Sequence, residues 1–316
     1  MFKSAKHPIL SILKSSAGLL LFFICAFAIY QKVLINEDGK NIKQIFLIQL
    51  KIIPNFGWFC LLLLMLSNLI IEALKWKLVV SENNTMGILK SLKSVFVGQA
   101  FAFFTPNRIG EYAGRTMYLN DGNKLMGISQ MAWSSYAQLL VTITIGTVAL
   151  FINITFYPWM TNSSMVWIKI ICPILALLVL YFYFSVQNWK GVFSVFNSLQ
   201  IAHPIKVQLI FWSLLRYLIF IVQYYLVAHL LKMNLPFLTV FWSLSILFLL
   251  LSILPTISIT ELVVRGQLLI LILTPFYSNK LIIVSLSSII WGINFLLPSI
   301  IGTFLLLGYR IKGNKA

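Results

Sequence analysis

Long apolar segments separated by short polar ones make up most of the chain. Each of them is, or extends to, the roughly 20 residues that a helix needs to cross the hydrocarbon core of a bilayer. The segments are Ala17–Tyr30, Trp58–Ile71, Met165–Phe184, Val207–Leu231 and Leu281–Leu307. This pattern predicts an all-α integral membrane protein, with a single membrane domain over residues 1–316.

The composition agrees with that prediction and excludes a soluble domain. Of the 316 residues, 60% are hydrophobic and only 10% are charged, whereas a soluble domain has about 25% charged residues. The net charge of +17 does not indicate nucleic-acid binding, because the lysines mostly flank apolar segments. The positive-inside rule and anionic lipid headgroups account for such lysines.

The basic residues also predict the orientation in a cell inner membrane. They precede the first apolar segment and follow the last one, which places both termini in the cytoplasm. These residues are Lys3, Lys6, Lys14, Arg310, Lys312 and Lys315. One connection opposes this topology, since Gln31–Lys51 holds four lysines but must be external. The first apolar segment is expected to be a retained span rather than a cleaved signal.

Two polar interruptions have related sequences. "TPNRIGEYAGR" ends at Arg115 and "PTISITELVVR" ends at Arg265, and each contains Glu-x-x-x-Arg, a spacing found nowhere else in the chain. The flanking apolar segments keep the same offset of about 150 residues. The sequence therefore predicts two repeats, at about 15–153 and 165–308.

Each repeat has an odd number of full crossings, so the two repeats are expected to be inverted relative to each other. Inverted repeats are typical of transporters, which bind substrate near the midplane on broken helices. The segments around Pro106 and Pro255 are the predicted breaks. Six crossings plus two re-entrant helix hairpins, or eight crossings, both fit the lengths. Shorter amphipathic helices ending at Pro54 and Pro204 are predicted to lie in the interface plane.

The first break has features suited to an anion. Pro106 is predicted to end one half-helix, and a second half-helix starting near Gly110 would direct its positive end inward. Arg108 adds a planar donor fork that fits phosphate oxygens. Glu111 and Arg115 lie one turn apart and can pair. The alternative is a self-neutralised ion pair that only pins two hairpins together.

A further cation lies deep in a predicted span. Arg216 needs a partner there, and Glu111, Glu261 or a bound phosphate are candidates. Lys75 is close enough to a span end to snorkel toward water. Polar residues that could face the same cavity are Gln99, Tyr112, Tyr136, Gln138 and Gln267. The predicted substrate-binding residues are Pro106, Arg108, Gly110, Glu111, Arg115, Arg216, Pro255, Glu261 and Arg265.

At these residues the chain resembles the lysylphosphatidylglycerol synthase transmembrane region, also called the flippase-like domain. The resemblance is to "PNRIGEYAGR" at 106–115, which follows "VGQAFAFFT", and to "LPTISITELVVRG" at 254–266. The family usually has glycines between the second proline and the glutamate, where this chain has residues 256–260 without glycine. In the best-known members a soluble aminoacyl-transferase domain follows the membrane region. Here the chain stops at Ala316, so that synthase activity is not expected.

The resemblance implies a flippase that moves a phosphate-bearing amphiphile between leaflets. The substrate would be an anionic phospholipid or a polyprenyl-phosphate type of lipid. No known catalytic motif, metal site or cofactor motif is recognised in the sequence, and an enzyme is not expected. The alternative is a non-transporting membrane partner or regulator of a separate lipid- or glycan-modifying enzyme. A third reading, an intramembrane transferase, would need Glu111 as a base.

Overall fold

The computed structural model describes residues 42–81, 85–120, 124–153, 166–185, 201–254 and 258–313. Helices joined by turns make up these residues, and no strand occurs among them. The helices are α1 Ile42–Ile52, α2 Asn55–Val80, α3 Ile88–Phe103, α4 Gly110–Thr116, α5 Lys124–Asn153, α6 Val166–Ser185, α7 His203–Leu230, α8 Phe237–Ile253, α9 Ser258–Leu273, α10 Lys280–Trp291 and α11 Leu297–Gly313. The prediction of an all-α chain is confirmed for these residues.

Four helical stretches are long and apolar enough to cross a membrane. They are Asn55–Val80, Met126–Ile152, His203–Leu230 and Lys280–Leu307. The last of them runs through α10 and α11, which a π-helical turn at Gly292–Leu296 joins. Helices of this length and composition are typical of a membrane protein, which agrees with the prediction from the sequence. The predicted first span at about 15–34 lies outside the described residues.

The long helices pack around a common apolar core. Helix α2 lies against α7 and α3, and α5 lies against α8, α7 and α6. Core side chains such as Leu69, Tyr217 and Leu247 come from different helices of this bundle. Helix α3 is clamped between α4 and α11. The turn after α3 also contacts α9, the helix that carries the second Glu-x-x-x-Arg pair.

The first break has the predicted form. Helix α3 ends at Phe103, a tight turn covers Pro106–Arg108, and α4 begins at Gly110. Asn107 and Arg108 have φ angles of 48° and 58°, a conformation that costs a non-glycine residue on the order of 1–3 kcal/mol. The Gly110 N–H donates to the Thr105 hydroxyl at 2.8 Å, so this end of the short helix is already partly capped.

Glycines bring α3 and α4 into direct backbone contact. A Cβ atom on Gly114 would lie 2.8 Å from the Cα of Gly98, and one on Gly110 would collide with the carbonyl of Phe101. The glycines at 110 and 114 thus allow the close approach of two helices that small residues permit in membrane proteins.

The second break differs in its helix lengths. Helix α8 has 17 residues and α9 has 16, whereas α4 has only seven. Pro255 and the two residues after it lie outside the described residues, so the prediction that Pro255 forms a helix break stays a prediction. The first amphipathic segment is the helix α1, and its second-half counterpart near 192–199 also falls outside them. The inversion of the repeats and the number of crossings remain predictions.

Candidate functional site

A cavity of about 570 Å³ lies between the helices, and side chains from the turn Pro106–Arg108 and from helix α9 are part of its lining. Its lining combines charged and apolar side chains from most of the long helices. The charged ones are Glu72, Lys75, Arg108, Glu111, Arg216, Glu261 and Arg265. The apolar ones include Met131, Leu139, Phe220, Phe248, Leu251 and Phe295. The cavity is therefore amphipathic, with room for a polar group beside a hydrocarbon one.

Glu72 is the centre of the charge network. Its Oε1 lies 2.8 Å from Nη1 of Arg115, and its Oε2 lies 2.6 Å from Nη1 of Arg216 and 3.4 Å from Nζ of Lys75. The side chains of Lys75 and Arg115 are each only 1% exposed. One carboxylate on α2 thus holds cations from α2, α4 and α7.

The contacts of Glu72 show that two predictions from the sequence, on the environments of Arg216 and Lys75, were wrong. The partner of Arg216 was expected to be Glu111, Glu261 or a phosphate, but it is Glu72, because α2 and α7 lie side by side. Lys75 does not snorkel, since its side chain is buried against the same carboxylate. Glu72 was therefore missing from the predicted site.

The first Glu-x-x-x-Arg pair belongs to this network. Arg115 donates to Glu111 as well as contacting Glu72. Nε of Arg108 lies 3.5 Å from Oε2 of Glu111. Nη2 of Arg108 donates to Oε1 of Gln99 at 2.5 Å. Arg115 is absent from the cavity lining and supports Glu111 from behind the wall. We call Glu72, Lys75, Arg108, Glu111, Arg115 and Arg216 the Glu72 network.

The second pair has a simpler environment. Arg265 donates to Glu261 and, through Nη1, to the hydroxyl of Tyr224 at 2.7 Å. Both charged side chains line the cavity. We call Glu261 and Arg265 the Glu261 pair. Tyr224 is a site residue that the sequence analysis did not identify.

One aromatic ring connects the two sets of charges. The Cζ atoms of Arg108 and Arg265 lie 4.8 Å and 5.2 Å from the centre of the Phe295 ring. Both distances are within the range of a cation–π interaction. Arg108 and Arg265 come from the two predicted repeats, so the structure brings one side chain from each of them to the same ring.

Phe295 lies in the π-helical turn Gly292–Leu296, and turns of this kind occur frequently at functional sites. Hydrogen bonds of buried side-chain amides hold the turn in place. Nδ2 of Asn294 donates to Oε1 of Gln223 at 2.9 Å and to the carbonyl of Ile290 at 3.0 Å. Nε2 of Gln223 donates in turn to the carbonyl of Leu61 at 3.1 Å. This network ties the turn to α7 and α2. The sequence has no signal that singles out Phe295.

The predicted site residues thus separate into groups. Five of the nine line the cavity: Arg108, Glu111, Arg216, Glu261 and Arg265. Arg115 lies behind it, and Gly110 serves packing of α3 on α4. Pro106 begins the turn that carries Arg108, and Pro255 is not described. Of the other polar candidates, Gln138 lines the cavity, whereas Tyr136 donates to the carbonyl of Val179 in a separate aromatic cluster.

Positive charges outnumber negative ones at the site. The described part of the chain has three acidic side chains, and all of them are here: Glu72, Glu111 and Glu261. Five cations accompany them, namely Lys75, Arg108, Arg115, Arg216 and Arg265. The surplus of two positive charges suits an anionic ligand. No group of three potential metal ligands occurs among the described residues.

A comparison with protein-family models finds no match to this chain, and no curated protein matches it. The resemblance stated above therefore stays a prediction. What the protein does is inferred from the charges and the shape of the cavity.

Proposed function

We propose that the protein is a lipid translocator of the inner membrane, which moves an amphiphile with a phosphate-bearing head between leaflets. The observation that carries this proposal is the cavity itself, where a surplus of buried cations lies beside apolar side chains. Ionisable groups within a membrane are costly and usually mark a substrate pathway. The resemblance to the flippase-like domain points to the same function.

Three arginines would hold the head. Arg108, Arg216 and Arg265 each line the cavity, and an arginine fork binds phosphate oxygens well. When no substrate is bound, Glu111 would neutralise Arg108, Glu72 would neutralise Arg216 and Glu261 would neutralise Arg265. Arg115 would keep Glu111 in place rather than touch the substrate, because it is buried behind the cavity wall.

Helix length supports two re-entrant hairpins. Helices α3, α8 and α9 have 16 or 17 residues, fewer than the roughly 20 that a full crossing needs. We therefore propose that α3–α4 and α8–α9 enter the membrane without crossing it and meet at the cavity. Such hairpins can be buried by protein around a polar site. The four long helical stretches, the 20-residue helix α6 and the predicted span at about 15–34 would then be six crossings in two inverted repeats.

The test is a transport assay in liposomes. Purified protein is reconstituted with fluorescent phospholipids, and exchange between leaflets is followed by chemical quenching of the outer leaflet. Wild-type protein should accelerate the exchange, and Arg108→Ala should abolish it. The matched control is Lys77→Ala, which removes an exposed cation from α2 outside the cavity and should keep the wild-type rate.

The proposal fails if wild-type protein moves no lipid, including lipids extracted from its native membrane. It also fails if Arg108→Ala retains the full rate. Either result would favour the alternative function, a non-transporting partner of a lipid- or glycan-modifying enzyme. That alternative predicts a stable copurifying enzyme and tolerance of substitutions at Arg108 and Glu111.

A further inference from the structure

We propose that the transported head carries two negative charges on phosphate, as a phosphate monoester or a diphosphate does, rather than the single charge of a phosphodiester. This inference rests on the proposed function and specifies its substrate class. It follows from how the charges are distributed between the Glu72 network and the Glu261 pair.

The surplus of positive charge lies entirely in the Glu72 network. That network contains two carboxylates, Glu72 and Glu111, and four cations, whereas the Glu261 pair has one charge of each sign. Two positive charges of the network are therefore not balanced by a carboxylate of the described residues. Burial in a low-dielectric interior strengthens the need for balancing charge.

The unbalanced charge faces the cavity through two side chains. Arg108 and Arg216 are 29% and 18% exposed, while Lys75 and Arg115 are almost completely buried. Nε of Arg216 is buried and has no hydrogen-bond partner among the residues that the structure describes. The two accessible guanidinium groups come from different elements, the turn before α4 and the middle of α7. Two cations on separate elements fit two anionic charges better than one.

The experiment compares lipids with the same acyl chains and different heads in the liposome assay. The probes are phosphatidic acid as the monoester, a diacylglycerol diphosphate as the diphosphate, phosphatidylglycerol as the monoanionic diester, and phosphatidylcholine as the zwitterion. We expect at least one of the two doubly charged lipids to move about tenfold faster than phosphatidylglycerol, since a charged hydrogen bond contributes that much. The faster of the two identifies whether the second charge belongs to the same phosphate or to a neighbouring one.

Two variants test whether the surplus charge causes the preference. Arg216→Gln and Arg108→Gln each remove one positive charge, and Glu72 and Glu111 keep other cations in both. The preference of each variant is measured as competition between the same lipids for binding to the purified protein, so that it does not depend on transport. Each variant should reduce the preference to about twofold or less, whereas Lys77→Gln should keep it. A variant that does not fold is replaced by the other one.

Each outcome separates this inference from the proposed function. If wild-type protein moves phosphatidylglycerol as fast as both doubly charged lipids, the inference is overturned while the translocator stands. If both glutamine variants keep the tenfold preference, the surplus charge is not its source and the inference is also wrong. If no lipid moves at all, the proposed function itself fails.

Discussion

The Glu72 network and the Glu261 pair contain the same Glu-x-x-x-Arg spacing in different surroundings. Arg115 contacts two carboxylates and is fully buried behind the cavity wall. Arg265 contacts one carboxylate and the Tyr224 hydroxyl, and it lines the cavity. In the first hairpin, the arginine that faces the cavity beside Phe295 is Arg108.

The comparison shows that repeated residues do not keep repeated roles. Arg115 and Arg265 match in sequence, but Arg108 and Arg265 match in position around the Phe295 ring. The two regions also differ in how many cations contact each carboxylate. Each carboxylate of the Glu72 network contacts two or three cations of the described residues, whereas Glu261 contacts one. Substitutions in the two regions should therefore have unequal effects.

The largest effect is expected at Glu72. Glu72→Gln leaves the buried Lys75 and the partly buried Arg216 without their carboxylate, and it should lower the free energy of unfolding by roughly 3–5 kcal/mol. Glu261→Gln should cost less, because Arg265 keeps the Tyr224 hydroxyl and the Phe295 ring. Denaturant titration in detergent micelles measures both. Equal losses would contradict the central position of Glu72.

The order should reverse when the arginines are changed. Arg265→Gln leaves Glu261 without a cation and should cost roughly 1.5–3 kcal/mol. Arg115→Gln should cost less, because Glu72 keeps Arg216 and Lys75, and Glu111 keeps Arg108. The same titration provides the comparison. A larger loss for Arg115→Gln would show that its neighbours do not compensate for it.

A third comparison tests the tight packing of the first hairpin. Gly114→Val would push side-chain atoms into the backbone of Gly98 and should cost roughly 1–3 kcal/mol. Gly87→Ala is the matched control in the same hairpin, since a Cβ atom there meets nothing within 4 Å. Valine already occupies position 264, the equivalent of Gly114 in the second hairpin. Thermal unfolding of both variants distinguishes them, and equal melting temperatures would contradict the packing argument.

The smallest effect is expected at Phe295, where both regions meet. Phe295→Leu removes the ring from Arg108 and Arg265 and should cost roughly 0.5–2 kcal/mol of binding free energy. Phe295→Tyr keeps the aromatic face and should bind lipid nearly as wild type does. Titration of phosphatidic acid against purified protein measures both. If Phe295→Leu binds phosphatidic acid as tightly as Phe295→Tyr does, the Phe295 ring is not part of the binding site.

The sequence alone determined the features that depend on near neighbours along the chain. The lengths of the apolar segments predicted two of the long helices, Asn55–Val80 and His203–Leu230. Backbone sterics of Pro106 and Gly110 predicted the break between α3 and α4. The pairs Glu111–Arg115 and Glu261–Arg265 followed from the one-turn spacing of a helix.

Only the tertiary structure decided which distant side chains meet. The contact between Glu72 and Arg216 joins residues 144 positions apart, and it depends on which faces of α2 and α7 turn toward each other. These helices are apolar almost all round, so hydrophobic periodicity does not mark an inward face. The position of Phe295 likewise depends on a π-helical turn held by amides from other helices. The sequence shows where the charged residues lie along the chain, and the packing of the helices determines which of them contact each other.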